Sequence, residues 1–308
     1  MKKKILITGG AGFIGSHLAE SLVKNFSVVV IDDLSTGNIK NLDSVIDEIH
    51  FIKNNIESID FSKLEKIDAI VHLAAQTSVQ LSIVDFKKSS NKNLSDTLSI
   101  LEYSRINKIP VVYASSAAVY GNLSKGDDTS NVVDLLSPYA VDKYATEKYF
   151  EMSNKLYGLS SIGLRFFNVF GPRQDPKNPY AGVISIFIEN LISGKKLKIN
   201  GGYQTRDFIY VNDVVKVIIK SIEEVMTKPI FDVVNVLSGH SFTVDDLVNI
   251  LGKLFEIKPK VIRKKLPPGD PEKSDGTIEK LSSIYGVDLK NFKSLEAGLK
   301  EIIKYSEL

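Results

Sequence analysis

The sequence predicts an α/β protein built on a doubly wound parallel sheet, with a smaller α/β region appended. Three observations carry that reading. Short β-branched runs alternate with longer amphipathic stretches through the first half of the chain. The first run ends in a glycine cluster, Gly9-Gly10-Ala11-Gly12-Phe13-Ile14-Gly15, and the second ends in an acid pair, Asp32-Asp33. Nearly continuous apolar strands separated by helices imply a parallel sheet covered on both faces. Right-handed crossovers then wind it in both directions from the first strand.

Taken in order, Ile5–Thr8, Val28–Ile31, His50–Lys53, Ala69–His72, Val111–Ser115 and Ser161–Phe166 read as strands. Ile14–Lys24 and Asn93–Arg105 are helical stretches between them. After about residue 167 the alternation loosens, and Gly171-Pro172-Arg173-Gln174-Asp175-Pro176 is a loop. Val183–Ser193 reads as a helix and Phe208–Val211 as a strand, followed by helices over Asp213–Val225, Val244–Phe255 and Leu295–Ser306. Val233–Val236 can rejoin the main sheet. The expected division is a first domain over 1–167, rejoined by parts of 208–240, and a second, discontinuous domain over 168–308 that completes a cleft. There is no internal repeat and no low-complexity linker.

With 308 residues the chain can bury a large core, and 43% hydrophobic with 25% charged residues is ordinary for a soluble globular protein. A formal charge of +2 argues against nucleic acid as a partner. The basic run Lys258–Lys265 is interrupted by Pro259, Val261 and Ile262 and reads as a solvated strand or loop edge. No cysteine is present, which excludes disulfides and thiolate chemistry. His17, His50, His72 and His240 lack metal-ligand spacing, so no metal is expected. After Met1-Lys2-Lys3-Lys4 the apolar stretch is only Ile5-Leu6-Ile7, too short for a secretion signal, and no membrane-length apolar run follows. A soluble, cytoplasmic protein is expected.

The glycines fit both G-x-G-x-x-G and G-x-x-G-x-x-G. Glycine permits the tight turn and lets the backbone approach a pyrophosphate, and the helix N-terminus adds N–H groups and a favourable dipole. An acid at the end of the second strand can accept hydrogen bonds from adenosine ribose hydroxyls and repels a 2′-phosphate. With Asp32-Asp33 there and no Arg nearby, NAD is expected rather than NADP. Farther on, Tyr139 and Lys143 are spaced i and i+4 and share one helix face. Free tyrosine is a poor base at neutral pH, with a pKa of about 10. A neighbouring ammonium and a cationic nicotinamide favour the phenolate. Ser116 follows the strand Val111–Ser115, at the carboxyl edge where open α/β sheets bind ligands, and could relay a proton to Tyr139. Dinucleotide cradle, phenol and cation together imply a nicotinamide enzyme that oxidises an alcohol.

These segments resemble the extended short-chain dehydrogenase/reductases, whose dinucleotide domain has the Rossmann fold, and within them the UDP-hexose 4-epimerases. The resemblance rests on Thr8–Gly15, His72-Leu73-Ala74-Ala75, Ser115–Gly121, Ser137-Pro138-Tyr139, Leu164–Gln174 and Gln204–Val211. It implies that Asp32, Asp33, Asn38, Asn55, Ile56, Leu73, Ala74, Ala75, Asn93, Tyr139, Lys143 and Phe166 line NAD beside Gly9, Gly12, Phe13, Ile14 and Gly15. Ser116, Tyr139 and Asn168 would meet the sugar and diphosphate, with Val183 and Lys198–Asn200 near uridine. Arg206 would clamp a phosphate, and Asp270 would accept a ribose hydroxyl.

Related sugar 4,6-dehydratases carry an Asp-Glu pair, and UDP-glucuronate decarboxylases a Glu, where this chain has Ala117-Ala118. Without an added acid or base the simplest implied chemistry is oxidation at C4 and re-reduction on the opposite face, which is epimerisation. The family's R-P-G-D appears as Pro267-Pro268-Gly269-Asp270, so Arg263 or Lys264 could replace the lost arginine, or phosphate binding could rest on Arg206. Ser274 stands where relatives restricted to unacetylated sugars have a bulky Tyr, which favours UDP-GlcNAc/UDP-GalNAc, with UDP-Glc/UDP-Gal also accepted. Asn55 stands where the family often has Asp, and its amide can serve the same hydrogen bonds. A homodimer is implied through Asn93–Arg105 and Ala140–Tyr157, although Leu94, Leu98 and Leu101 could equally pack on the sheet. The alternatives are another NAD(P)-dependent nucleotide-sugar epimerase or reductase, which in the latter case consumes NADH, and a non-catalytic NAD-sensing protein.

Overall fold

The structure is a computed structural model that describes residues 2–176, 182–267, 270–283 and 285–306. The first strands alternate with helices as β1 (Lys4–Thr8), α1 (Phe13–Leu22), β2 (Ser27–Asp32), β3 (Ile49–Lys53), β4 (Ala69–His72), α2 (Val79–Val84), α3 (Phe86–Asn107), β5 (Val111–Ser116), α4 (Pro138–Tyr157) and β6 (Ser161–Phe166). Then follow β7 (Asn168–Phe170), α5 (Val183–Ile192), β8 (Leu197–Asn200), β9 (Thr205–Tyr210), α6 (Val211–Thr227) and β10 (Phe231–Val236). The remaining elements are β11 (Ser241–Thr243), α7 (Val244–Leu254), β12 (Val261–Lys264), α8 (Glu279–Ser283) and α9 (Leu295–Ser306).

A seven-stranded sheet runs β10-β6-β5-β4-β1-β2-β3. β1 lies between β2 and β4, pairing with both in parallel. The strand order therefore reverses beside β1, the point at which such sheets bind ligands beyond their carboxyl ends. Both faces of β1, β4 and β5 are covered, which explains why Ile5-Leu6-Ile7 and Ile70-Val71 are continuous apolar runs rather than alternating ones. α3 is longer than the sequence predicts. Asp85 caps its start by accepting the Lys88 N–H, and Lys108 ends it in the left-handed conformation at φ 55°. α2, just before it, is a short helix capped by Ser78. The core beneath β1, β4 and β5 includes Leu6, Ile70, Val111, Tyr113 and Phe150. Tyr113 stacks on Phe150 with centroids 4.1 Å apart, and Gly163 on β6 lies flat against that ring, where a Cβ would sit 2.6 Å from it.

One ion pair crosses this interior. Arg165 on β6 donates from Nε (2.8 Å) and Nη2 (2.7 Å) to the two oxygens of Glu147 on α4, and Ser115 on β5 donates to the same carboxylate at 2.5 Å. Both charged side chains are about 95% or more buried. A bidentate pair with a third donor is the arrangement in which buried charges are tolerated.

The chain groups into two compact units, the first comprising Met1–Ser116, Pro138–Arg165 and Val214–Val234, the second Ala117–Ser137, Phe166–Asp213 and Asn235–Leu308. The sequence reading assigns 117–137 to the first domain, whereas the structure groups this stretch with the second unit. Asn235 is the reason: its amide donates to the Gly126 carbonyl (3.1 Å), its Oδ1 accepts the Tyr120 hydroxyl (2.7 Å), and its backbone N–H donates to Asp128 (2.8 Å). The second unit has a three-stranded sheet, β11-β9-β7, and a two-stranded one, β12-β8. Phe170 meets Phe208 and Tyr210 edge-on there, and Gly298 on α9 admits the Phe170 ring where a Cβ would lie 2.6 Å away. The basic run forms the exposed strand β12, parallel to β8.

Glu147→Gln should strand the Arg165 guanidinium in the interior and cost about 3–5 kcal/mol of stability, read as a lower urea midpoint. An unchanged midpoint would show that the pair contributes nothing.

Candidate active site

The glycine turn is built by steric necessity. Gly9 sits at φ +72°, donates its N–H to the Ile31 carbonyl at 2.8 Å and accepts from Gly12 at 3.2 Å. A Cβ on Gly15 would lie 2.3 Å from the Gly9 oxygen, and one on Gly9 would lie 2.7 Å from the Ala74 nitrogen. Gly12 is the N-cap of α1 and offers no side-chain cap, so the first turn at Phe13 and Ile14 presents its N–H groups and positive dipole end outward. This bare, close-approach helix start fits the pyrophosphate of NAD.

The surrounding residues are locked onto the turn. Asp32 is buried and accepts the Ala11 N–H (2.9 Å) and Leu34 N–H (2.8 Å), one on each carboxylate oxygen. Burial lifts its carboxyl above the ordinary value despite those bonds. Asn38 donates its backbone N–H to the Ala11 carbonyl at 3.0 Å, and its side chain caps the following turn. Asn55 caps the turn holding Ile56, which is buried. Leu73 and Ala74 are fixed by Thr8, through its carbonyl (3.1 Å) and hydroxyl (3.3 Å). Asn93 spends its amide on protein: it clamps the Gln76 backbone beside Ala75 (2.8 and 3.2 Å) and donates to Asp142 at 3.2 Å. His72 lies between the Thr8 and Thr97 hydroxyls, and burial pushes it down to about 3, so it is neutral.

Ser116 ends β5, and Tyr139 is the second residue of α4, where Pro138 supplies a preset helical start. The Tyr139 N–H donates to Ser82 at 3.2 Å. Its phenol and the Ser116 hydroxyl share a hydrogen bond. Lys143 lies one turn on, its Nζ 5.8 Å from the Tyr139 ring centroid, and donates to the Ala114 carbonyl at 2.9 Å. The sequence reading expects the cation to draw the phenol down. In the structure burial dominates both groups: it raises the Tyr139 phenol above 10 and pushes Lys143 down to about 8. Serine, phenol and ammonium do converge, and the phenol needs a further positive charge to ionise near neutral pH.

In the second unit Phe166 ends β6 and Asn168 opens β7, where its amide donates to the Asp207 carbonyl at 3.0 Å. Arg206 donates to Asp270, so two residues given separate tasks by the sequence are ion-paired. Asp207 beside it is buried and pushed up to about 6. Val183 opens α5 behind the Gly182 cap; Lys198 and Asn200 occupy the exposed positions of β8. Ser274 is half-buried, its carbonyl accepting the Asp207 N–H at 3.2 Å. A cavity of about 1000 Å³ is lined by Tyr203, Arg263, Lys264, Lys265, Asp270 and Lys273, among others. Arg263, one candidate for the lost arginine, is engaged by Asp245 at 2.9 Å. Pro268 and Gly269 of the altered motif lie outside the described residues. Lys265 belongs to the basic run expected to be a solvated edge, whereas Lys273 and Tyr203 carry no motif in the sequence that would mark them. Among the described residues no His/Cys/Asp/Glu group could hold a metal, and no helix is long and apolar enough to cross a membrane.

Lys143 carries a sign-definite prediction. Its folded pKa lies below the unfolded value, so the unfolded chain binds more protons between about pH 8 and 10.5 and stability rises with pH across that window. Lys143→Met should therefore raise stability at pH 7 by about 1–3 kcal/mol. The gain should fade toward pH 10, with turnover lost. Urea titrations at pH 7 and 10 check this; equal gains at both would refute the burial penalty.

Comparison with known proteins adds the family. The model described as "NAD dependent epimerase/dehydratase family" matches residues 5–236. A putative UDP-glucose 4-epimerase of Methanocaldococcus jannaschii is 34% identical, covering 98% of this chain and 97% of that protein. Among solved structures, a UDP-N-acetylglucosamine 4-epimerase from Methanobrevibacter ruminantium M1, in complex with UDP-N-acetylmuramic acid, superposes with a TM-score of 0.91 at 35% identity over 100% of both chains. A UDP-glucose 4-epimerase from Thermotoga maritima, with UDP-glucose, does so with 0.91 at 34% identity over 99% and 98%. With its glycine cradle, Tyr139–Lys143 helix and matched length, the chain belongs to the NAD-dependent epimerase/dehydratase family of extended short-chain dehydrogenase/reductases, and its cofactor is NAD.

Proposed function

We propose that this protein is a UDP-hexose 4-epimerase that favours UDP-GlcNAc/UDP-GalNAc and also accepts UDP-Glc/UDP-Gal. The observation that carries the reading is the buried Ser116–Tyr139 hydrogen bond with Lys143 on the same helix face, followed in the chain by Ala117-Ala118 rather than by acids. Tyr139 takes the C4 hydroxyl proton, and Ser116 holds that hydroxyl or relays its proton. Lys143 and the positive charge of NAD+ lower the phenol into the working range. Bound NAD supplies hydride acceptance and return, and the cofactor ends each turnover unchanged. Ala117-Ala118 offer no acid or base there to eliminate water or carbon dioxide from the oxidised sugar, which leaves reduction on either face as its fate.

The first unit is the NAD-binding Rossmann domain in this reading: Asp32 and Asp33 serve the adenosine ribose, Asn38, Asn55 and Ile56 flank the adenine end, and Leu73–Ala75 and Asn93 line the remainder. The second unit takes the nucleotide sugar. Arg206 and Asp270, paired with each other, form the nucleotide clamp, with Asn168, Val183, Lys198 and Asn200 around it. The compact Ser274 side chain supports room for a C2 acetamido group; relatives with acetylated and unacetylated substrates are equally similar to this chain and favour neither. A cytoplasmic homodimer is part of the proposal. Leu98 on α3 (40% exposed) and Val141, Met152 and Leu156 on α4 (47%, 43% and 63%) are exposed apolar side chains on two helices that pack together, which supports burial against a second copy.

Tyr139→Phe should reduce turnover at least about a thousand-fold with NAD still bound. Normal epimerisation by that variant would remove the base assignment. Incubation with UDP-GlcNAc and with UDP-Glc, followed by separation of the C4 epimers, should show faster conversion of the acetylated sugar. Ser274→Tyr should suppress that activity selectively. Turnover of UDP-Glc alone would overturn the acetyl preference, and net NADH consumption would indicate a reductase.

A further inference from the structure

Asp33 is the more open of the two acids that end β2, with 27% of its side chain exposed. Lys92, 59 residues away on α3, places its Nζ 3.0 Å from Asp33 and 3.0 Å from Asp96, one helical turn farther along. The Asp96 side chain is 1% exposed, so its charge depends on that ammonium. The cation, itself 29% exposed, is therefore shared between an interior carboxylate that cannot release it cheaply and the more open Asp33. Ser35 fixes Asp33 in turn, donating from its N–H (2.9 Å) and hydroxyl (2.5 Å). Although burial opposes it, the Ser35 and Lys92 hydrogen bonds hold the Asp33 carboxyl below its ordinary value. The two ion pairs likewise hold Lys92 above its own against burial. All of this sits at the carboxyl end of β2, where an acid meets the adenosine ribose 2′-hydroxyl and a cation accommodates a 2′-phosphate.

We propose that Asp33, Lys92 and Asp96 decide between NAD and its 2′-phosphorylated form, with Lys92 a phosphate-ready cation that Asp33 masks. The inference rests on the reading of the β2 end as the adenosine site. With Asp33 present, a 2′-phosphate meets the carboxylates of Asp32 and Asp33, and the ammonium is already shared by two acids. Neutralising Asp33 leaves Lys92 anchored by Asp96 and turned toward the ribose, a geometry suited to a phosphate oxygen. An exposed ion pair alone contributes little, so the test reads binding selectivity rather than stability.

Dissociation constants for NAD and NADP, measured by calorimetry on the purified protein, should favour NAD by about a hundred-fold or more. Bound dinucleotide is identified by chromatography after acid release. Asp33→Asn should tighten NADP at least about ten-fold, the scale of one charge-assisted hydrogen bond, with a smaller change for NAD and a gain that weakens with salt. Adding Lys92→Gln together with Asp96→Asn, which avoids stranding the buried carboxylate, should return NADP to its original weakness while NAD still binds. An unchanged NADP affinity in Asp33→Asn, or a gain that survives the loss of Lys92, would overturn the proposal. A wild-type protein that binds neither dinucleotide would instead remove the cofactor reading on which it rests.

Discussion

An ammonium kept out of water beside a phenol is the constraint around which this structure is organised. Lys143 is 7% exposed and pushed down to about 8 by burial, and the fields of Asp142 and Glu147 are what limit that fall. Tyr139, Lys143 and Glu147 are spaced four residues apart on α4 and thus line one face of it. The same Glu147 accepts from Ser115, the neighbour of Ser116, and from Arg165 on the next strand. One carboxylate thereby steadies the ends of β5 and β6 and the charge of the cation.

The dinucleotide cradle obeys a different constraint, close approach of backbone to backbone. Gly9 against the Ala74 backbone, and Gly15 against Gly9, leave no room for a Cβ, and Asp32 is recruited to stitch the glycine turn to the end of β2. Asp32 is thus a part of the wall, whereas Asp33 stands farther out in an ion-pair chain with Lys92 and Asp96. Two adjacent acids of identical type acquire different tasks because one points into the turn and the other toward α3.

In the second unit the principal charges come paired. Arg206 pairs with Asp270, and Arg263 with Asp245, so each guanidinium is held in one orientation by a carboxylate. Lys264, Lys265 and Lys273 line the adjoining cavity together with Asp270 and Glu272.

The local part of the architecture was legible in the sequence. The turn from β1 through the glycines into α1, the β2 strand with its terminal acids, and the Tyr139–Lys143 spacing are short-range patterns, and period and glycine chemistry determine them with little help from the rest of the chain. The NAD cofactor and the epimerase/dehydratase family followed from those same residues. Tertiary structure alone decided what depends on distant partners. Asn93 holds Gln76 and Asp142 instead of offering a free amide, Asp270 pairs with Arg206, and residues 117–137 join the second unit through Asn235. It also placed Lys92 on Asp33, a cation 59 residues away in the sequence. The protonation balance belongs to this class as well. Spacing revealed that a phenol and an ammonium share a helix face, but only the packing around them established how much water each gives up, and desolvation is what sets their pKa values.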